Sequence, residues 1–397
     1  MAQSQADAPS LSAYAAATAD LNAWVEVDLE AMAANVAAIR SVLQPSTEVI
    51  AVIKANAYGH GAVPLARWLE SQGVERLGVA WVSEAVALRA AGVQSPIIVM
   101  GHAFPGDAAS CVSYDITCTI HSKHLADAFS AAAQAAGRKA MVHLKVDTGL
   151  HRFGNGDEEV VELAEYCRRL PGLRVEGIWT HMANADEEDD GFSVEQLERF
   201  RAVRERLDWT PYAHAANSAT AFRRPALHFD GVRAGISLYG ICPPNTPDPG
   251  LRPALSLKAR LARVFELREG EGVSYGLTWR APRDSVAGLV PVGYGDGWRR
   301  SLGNVGEVLV DGQRCPMVGR VCMDQFLVDL SALARRPEEG DEVVLLGQQG
   351  SEQITADSVA ELCGTISWEV VAALLPRIPR VYRSGDTVVT LEGGSAG

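Results

Sequence analysis

The chain has 397 residues, of which 47% are hydrophobic, so it can bury a large core and is expected to divide into two domains. A net charge of −13 and an isoelectric point near 5.2 exclude nucleic acids and anionic membranes from the expected partners. No apolar run approaches the roughly 20 residues of a membrane span, and residues 1–20 lack the charged start and apolar middle of a signal peptide.

The seven cysteines are odd in number and scattered along the chain, with no CxxC pair and no metal-finger spacing. The sequence therefore predicts no metal site, and a reducing cytoplasm is the compartment that fits it best.

The first 20 residues, MAQSQADAPSLSAYAAATAD, are rich in alanine and serine. This composition predicts a mobile N-terminal leader over residues 1–20, with helical character near residues 11–19.

From residue 47 to residue 240, short apolar runs alternate with longer helical patterns, which is typical of a parallel sheet. The eight runs are residues 48–54, 76–81, 96–101, 116–120, 141–146, 175–181, 212–217 and 232–240. Eight strands with right-handed crossovers favour a closed (β/α)₈ barrel over an open sheet. We therefore predict an α/β fold with a barrel domain over residues 21–254.

The texture of the chain changes after the segment PPNTPDPG at residues 243–250, which has the composition of a linker. From Leu255 onward, alternating apolar residues and frequent glycine turns predict short strands. The sequence therefore predicts a mainly β C-terminal domain over residues 255–397, with one late helix at SVAELCG, residues 358–364.

Polar side chains cluster at the predicted C-terminal ends of the barrel strands. They are Lys54, Lys145, His181, Asn217 and Ser218, and Arg233 lies inside the last run. Barrel enzymes build their active sites on this rim, so the sequence predicts an enzyme with its site there.

Lys54 ends the apolar run Ile50–Ile53, where solvent meets the core. Burial favours the neutral form of an amine, and a neutral lysine is a nucleophile that forms Schiff bases with carbonyl groups such as that of pyridoxal phosphate (PLP). The polar, glycine-rich residues 56–61 that follow offer hydroxyl and backbone N–H groups that could hold a phosphate.

Eight motifs, in this order, resemble those of the alanine racemase family. They are AVIKANAYGHG, KVDTGLHRFG, THMANAD, HAANSA, VRAGISLYG, VSYG, VGYGDG and GRVCMDQ. The resemblance runs from about Trp24 to Tyr382. It implies a PLP-dependent enzyme with a barrel and a β-domain that interconverts L- and D-alanine, supplying D-alanine for peptidoglycan.

The resemblance also implies roles for residues around the cofactor. The residues matched to PLP binding are Lys54, Tyr58, Arg152, His181, Ser218, Arg233, Gly235, Ile236 and Trp368. Lys145, often carbamylated in the family, would hold Arg152, and His214 would position Arg233. Arg233 would face the pyridine nitrogen, where many other PLP enzymes place an acid. An arginine there leaves the nitrogen unprotonated, so that the carbanion is short-lived, as a racemase requires.

Racemisation needs proton exchange on both faces of a planar intermediate, so two acid/base groups are required. The resemblance assigns these roles to Lys54 and Tyr275. It assigns binding of the substrate carboxylate to Arg152 and the backbone N–H of Met323, and a place near the entrance to Arg320 and Asp324. In the family the tyrosine and methionine come from the partner subunit of a head-to-tail homodimer, which makes two composite sites.

Two residues depart from the family pattern and leave the substrate open. Trp368 stands where the family usually has a tyrosine that contacts the phosphate, and His151 stands where the family often has a smaller residue. A racemase acting on serine or a basic amino acid is therefore the main alternative. A PLP decarboxylase should have an acid in place of Arg233, and a non-catalytic PLP carrier with this barrel should lack the second domain.

Overall fold

The computed structural model describes residues 13–393, and the chain folds into two compact units. The barrel unit comprises Met32–Tyr58 and Ala62–Arg252. The β unit comprises the residues up to Ala31, the three residues Gly59–Gly61, and the residues from Pro253 onward.

The helices in chain order are α1 (Ala13–Thr18), α2 (Leu29–Ser41), α3 (Lys54–Tyr58), α4 (Ala62–Ser71), α5 (Val82–Ala90), α6 (Ala108–Ser113), α7 (Lys123–Ala135), α8 (Asp157–Arg169), α9 (Gly191–Arg206), α10 (Ser218–Arg223), α11 (Ala356–Cys363) and α12 (Ser367–Ala372). The strands are β1 (Ala23–Asp28), β2 (Glu48–Val52), β3 (Arg76–Val79), β4 (Ile97–Val99), β5 (Thr117–Ile120), β6 (Ala140–Lys145), β7 (Leu173–Trp179), β8 (Tyr212–His214), β9 (Gly231–Ala234), β10 (Leu255–Arg260), β11 (Arg263–Leu267), β12 (Gly272–Val273), β13 (Trp279–Arg280), β14 (Ser285–Val290), β15 (Glu307–Val310), β16 (Gln313–Val318), β17 (Phe326–Asp329), β18 (Glu342–Gln349), β19 (Glu352–Ile354), β20 (Arg380–Ser384) and β21 (Thr387–Glu392).

Strands β2 to β9 form a closed parallel barrel in sequence order, because β9 pairs with β2 as well as with β8. Each of the eight apolar runs overlaps one of these strands, so the predicted (β/α)₈ fold is confirmed. The last run ends early, because Ile236–Tyr239 form a 3₁₀ helix after β9.

The helices around the barrel follow ordinary capping rules. Ser122 caps α7 by accepting a hydrogen bond from the Leu125 N–H, and Asn217 caps α10 by accepting one from the Thr220 N–H. Helix α8 begins with three acidic residues and ends with Arg168 and Arg169, which suits the helix dipole. The two N-caps fix where two of the loops on the C-terminal rim of the barrel end.

The β unit contains an eleven-stranded sheet and a small β12–β13 hairpin. The order in the main sheet is β11-β14-β17-β16-β15-β18-β10-β1-β20-β21, and β19 pairs with β18. The predicted late helix is α11, and the sequence prediction missed the short α12 that follows it.

Strand β1 corrects the predicted start of the barrel domain at residue 21. It pairs antiparallel with β10 and parallel with β20, so it lies inside the C-terminal sheet. Its fully buried residues Trp24, Val25 and Val27 belong to the core of that sheet. No local sequence pattern predicts that β1 pairs with β10 and β20, because these strands are more than 200 positions away in the chain.

Residues 1–12 of the predicted mobile leader lie outside the described part of the chain. The helix expected near residues 11–19 is present as α1. Its Tyr14 hydroxyl donates to Glu26 and accepts a hydrogen bond from the Trp24 indole at 3.0 Å, so this helix is anchored to β1. Within the described residues, none of the helices is long and apolar enough to cross a membrane.

Candidate active site

Lys54 begins a turn with a left-handed backbone. The φ angles of Ala55, Asn56, Ala57 and Tyr58 lie between 52° and 54°. Such a run of non-glycine residues costs about 1–2 kcal/mol per residue and persists only where its surroundings hold it. The turn therefore fixes Lys54 and Tyr58 relative to each other at the end of β2.

Two side chains hold this turn. The Ala55 N–H donates to the Glu84 carboxylate at 2.7 Å, and the Ala62 N–H donates to the Asn56 side-chain oxygen at 2.8 Å. The second carboxylate oxygen of Glu84 accepts from the N–H groups of Ala80 and Trp81, both at 2.9 Å. Glu84 thus ties the Lys54 turn to the end of the neighbouring strand β3.

The surroundings of Lys54 favour a neutral amine. Burial is the main cause that lowers the pKa of Lys54, and the positive charges of Arg152 and Arg233 lower it further. The negative charge of Glu84 acts in the opposite direction but does not prevail. The neutral form of Lys54 is therefore favoured more than that of a solvated lysine.

Arg233 lies inside the barrel and is 3% exposed. Its Nη1 donates to His214 Nδ1 at 2.8 Å and to the His214 carbonyl at 3.1 Å. Its Nη2 donates to the carbonyls of Thr180 and Ala215 at 2.8 and 2.7 Å and to His181 Nδ1 at 3.2 Å. Arg233 thus makes all of its hydrogen bonds to described residues through Nη1 and Nη2. Its Nε–H is the donor that remains for a ligand.

Burial lowers the pKa of Arg233 to about 9, so the guanidinium still carries its charge at neutral pH. Burial and the charge of Arg233 also lower the pKa values of His181 and His214 well below their usual range. Both histidines are therefore neutral, and each accepts a hydrogen bond from Arg233 through Nδ1.

A cradle of hydroxyl and backbone N–H groups lies where the last two barrel strands end. Ser218 Oγ accepts from the N–H groups of Gly235 and Ser237 at 3.0 and 3.3 Å, and from the Ser237 hydroxyl at 2.9 Å. A Cβ on Gly235 would lie 3.0 Å from the Tyr58 hydroxyl. Burial raises the pKa of Tyr58 to about 12, so that this hydroxyl remains a donor. These groups fit a phosphate, and Ile236 follows directly.

Lys145 is 2% exposed, at the end of β6. Burial and the charges of Arg152 and Arg233 lower its pKa to about 8, although Asp147 opposes this. His151 is exposed, with φ of 51°, and its N–H donates to Asp147 at 3.0 Å. The loop that carries Arg152 is therefore anchored by Asp147.

Tyr275, Arg320, Met323, Asp324 and Trp368 belong to the β unit. Tyr275 is 69% exposed and Met323 is 55% exposed. The Ser274 hydroxyl donates to the Arg320 carbonyl at 2.6 Å, and a Cβ on Gly276 would lie 3.3 Å from the Arg320 guanidinium. The Tyr275 turn thus packs on the segment that carries Arg320.

Arg377, which the sequence analysis missed, braces the Met323–Asp324 segment. Its guanidinium pairs with the buried Asp296 and donates to Asp324 at 2.7 Å. The Gly295 N–H donates to the Met323 carbonyl at 2.7 Å. Trp368 is half-buried in α12.

Other residues missed from the sequence had a weak signal. His143 interrupts the apolar run MVHLKV, and Glu84 is an acid in the first turn of the helix that follows a strand. Ser237 lies in a glycine-containing segment, directly after Gly235 and Ile236, which the resemblance matched to PLP binding. A polar residue inside a buried strand is a usable signal, but its partner is not readable from sequence.

The chain matches two adjoining family models. Residues 27–243 match the alanine racemase N-terminal domain, and residues 254–382 match the alanine racemase C-terminal domain. It is 44% identical over 369 residues to an alanine racemase from Desulfovibrio desulfuricans, which covers 91% of this chain and 98% of the relative.

Solved structures agree with these matches. An alanine racemase from Clostridium difficile superposes with a TM-score of 0.90 at 34% identity, covering 94% of this chain and 98% of that one. A histidine racemase from Leuconostoc mesenteroides superposes with a TM-score of 0.84 at 30% identity, covering 92% and 99%.

Proposed function

The chain belongs to the alanine racemase family, and from this premise we propose that it interconverts L-alanine and D-alanine with PLP as cofactor. The observation that carries the proposal is the joint environment of Lys54 on the barrel rim. Its amine is biased towards the neutral form by burial and by Arg152 and Arg233. The same barrel carries a phosphate cradle around Ser218.

The barrel residues fit PLP. Lys54 would bind its aldehyde carbon, and Tyr58, Ser218, Gly235 and Ile236 would hold its phosphate. Arg233 would donate its unused Nε–H to the pyridine nitrogen, and His181 would lie beside the ring. When bound, PLP makes the Cα proton of an amino acid acidic by withdrawing electrons from it.

The protein residues then move one proton between two faces. Lys54 takes or returns the Cα proton on one face, and the partner subunit's Tyr275 does so on the other. Arg152 and the backbone N–H of the partner's Met323 hold the substrate carboxylate. Each of the two groups removes the proton in one direction of the reaction and returns it in the other, so both directions use the same pair of side chains.

Arg233 distinguishes this reaction from that of a decarboxylase. An acid at its position would protonate the pyridine nitrogen and stabilise negative charge for longer. Arg233 instead offers only donors, and its carbonyl and imidazole partners are all acceptors. This arrangement favours prompt return of the proton and hence racemisation.

We propose a head-to-tail homodimer, because Tyr275 and Met323 are exposed although the reaction needs both in an enclosed site. A reducing cytoplasm suits the odd number and the scattered positions of the seven cysteines. Supply of D-alanine for peptidoglycan is the role that follows from this activity.

A second candidate is a racemase with a different or broader substrate range. The structural likeness to a histidine racemase and the departures at Trp368 and His151 favour keeping it. Trp368 would narrow the pocket differently from a tyrosine, because indole is larger and only donates hydrogen bonds.

Incubation of the purified holoenzyme with single L-amino acids in heavy water tests both candidates. We expect loss of optical purity and deuterium at Cα, fastest with alanine and without release of carbon dioxide. Faster exchange with another amino acid would favour the second candidate. Release of carbon dioxide, or no exchange with any amino acid, would contradict both.

A further inference from the structure

A chain of hydrogen bonds runs through the barrel interior from Arg233 towards the opposite end. His214 Nε2 lies 3.0 Å from His143 Nδ1, and His143 Nε2 lies 3.0 Å from the Glu176 carboxylate. The other Glu176 oxygen accepts from Arg76 at 3.0 Å. Arg76 opens strand β3, at the N-terminal end of the barrel, whereas Arg233 belongs to the C-terminal rim.

These groups are deeply buried. His143 and His214 are both 0% exposed, and the Glu176 side chain is 16% exposed. Gly177 on β7 leaves room for the pair, because a Cβ there would lie 3.0 Å from His143 Nε2. The His214 ring stacks on Trp179 with an interplanar angle of 6°. Their positions are therefore fixed by packing as well as by hydrogen bonds.

The residues at the two ends of this series of hydrogen bonds allow only one direction of proton donation along it. Arg233 Nη1 can only donate, so His214 Nδ1 must accept and its proton must lie on Nε2. That proton is donated to His143 Nδ1, and so the His143 proton lies on Nε2, facing the carboxylate of Glu176. A carboxylate accepts, so both ends require the same two tautomers.

The charges agree with this direction. Burial lowers the pKa values of His143 and His214, so both rings are neutral. Burial alone would raise the pKa of Glu176. The hydrogen bond from His143 and the charge of Arg76 nevertheless lower this pKa to about 2. Glu176 therefore remains an anionic acceptor throughout the working range of pH.

We propose that Glu176 and His143 are positioning residues for the reaction, which act through His214 to fix the orientation of the Arg233 guanidinium. This inference rests on the proposed function, in which Arg233 faces the pyridine nitrogen. If the direction of proton donation were reversed, His214 would carry its proton on Nδ1, facing the Arg233 N–H. Arg233 would then turn away from its present acceptors and carry its Nε–H out of position.

The test uses Glu176→Gln, which keeps the shape but removes the charge and adds a donor. An amide can donate to His143 as well as accept from it, so both directions of the chain become accessible. The matched control is Glu48→Gln. Glu48 also pairs with Arg76, at 2.6 Å, but makes no hydrogen bond to His143.

Two measurements on the full-length holoenzyme separate the outcomes. Nitrogen-15 NMR of labelled histidines should find His143 and His214 neutral with their protons on Nε2, and Glu176→Gln should add a form of His214 protonated on Nδ1. The kcat of Glu176→Gln should fall about tenfold, which is typical of a lost outer-shell contact, while KM changes less than about twofold. Glu48→Gln should change neither.

A His214 proton on Nδ1 in the native enzyme, or a doubly protonated His143, would overturn the inference. Equal losses of kcat in Glu176→Gln and Glu48→Gln would also overturn it, because they would reduce Glu176 to a structural partner of Arg76. The tautomers are measured without turnover. A protein that is inactive but shows the expected tautomers would therefore count against the proposed function. It would leave this series of hydrogen bonds in place.

Discussion

At the scale of single residues, position in the barrel rather than residue type sets reactivity. Lys54 and Lys145 both end barrel strands, and burial together with Arg152 and Arg233 lowers both pKa values. A solvated lysine with a pKa of about 10.4 would be almost wholly protonated at neutral pH and could not act as a nucleophile. The same cluster of cations therefore favours the neutral form of two different amines.

Lys145 is predicted to react with carbon dioxide. A neutral amine and carbon dioxide form a carbamate and release one proton, and the product anion would pair with Arg152. Because the pKa of Lys145 is about 8, the neutral fraction and the carbamate occupancy should fall as the pH drops below 8. Native mass spectrometry at pH 9 and pH 6, with and without added bicarbonate, should detect this change.

Lys145→Ala is the control for that experiment and should abolish the added mass. An occupancy independent of both pH and bicarbonate would contradict the prediction.

Trp368→Tyr should shift substrate preference. A change of pocket volume of this size alters discrimination by about tenfold, so the ratio of kcat/KM for alanine to that for serine should change by roughly this factor. Trp209→Tyr serves as the control, because Trp209 stacks on Arg168 in the barrel unit and belongs to no predicted site. An unchanged ratio in Trp368→Tyr would show that this residue does not set the substrate range.

At the scale of elements, the segment after β2 concentrates backbone strain. The left-handed turn over residues 55–58 is followed by Gly59 and Gly61, with φ of 82° and 97°. In the β unit, Arg380 donates to the Gly59 carbonyl at 3.1 and 3.2 Å, and Tyr382 donates to the His60 carbonyl at 2.8 Å. Hydrogen bonds on both sides of residue 58 therefore stabilise the strained backbone conformation of this segment.

Gly59→Ala should destabilise the protein strongly. A Cβ at Gly59 would lie 2.1 Å from the Val371 carbonyl oxygen, so backbone must move in addition to the left-handed strain. We expect a loss of about 3 kcal/mol in the free energy of unfolding. Thermal or urea unfolding, followed by circular dichroism, measures it.

Gly73→Ala is the matched control for Gly59→Ala. Gly73 has φ of 67°, but a Cβ there would meet no atom within 4 Å. It should cost only about 1 kcal/mol. Equal losses in the two variants would mean that close approach of the backbone at Gly59 contributes nothing.

At the scale of the whole molecule, the proposed mechanism uses two chains. In that proposal the barrel supplies Lys54, Arg152 and Arg233, and the partner subunit's Tyr275 exchanges the proton on the second face of the substrate. Tyr275 and Met323 are exposed on the β unit. The proposed composite site would account for the exposure of both side chains and for the strained turn that carries Tyr275, with φ of 60° at Ser274.

Mixing two inactive variants should restore activity. In a heterodimer of Lys54→Ala and Tyr275→Phe, a composite site made by two chains leaves one site fully native and the other doubly mutated. Equal mixing after dissociation should therefore recover about one quarter of native activity, because about half of the dimers are hybrids with one working site. The measurement is racemase activity before and after subunit exchange.

Failure to recover activity, although mass spectrometry detects the hybrid dimer, would place both residues of each site in one chain. Each variant mixed with itself is the control and should remain inactive.

The sequence alone determined the barrel and the second β-rich region. These depend on local patterns: eight apolar runs of strand length and the change of periodicity at Leu255. The roles of Tyr275 and Met323 came instead from resemblance, since an exposed tyrosine in a glycine turn has no pattern of its own that indicates catalysis.

Only the tertiary structure decided which distant residues meet. It paired β1 with β10 and β20, grouped Gly59–Gly61 with the β unit, and aligned Glu176, His143 and His214 behind Arg233. The physical reason is that strand neighbours and buried hydrogen-bond partners are selected by long-range packing, which fixes contacts between residues far apart in the chain. Local periodicity carries the period of a strand but not the identity of its neighbour.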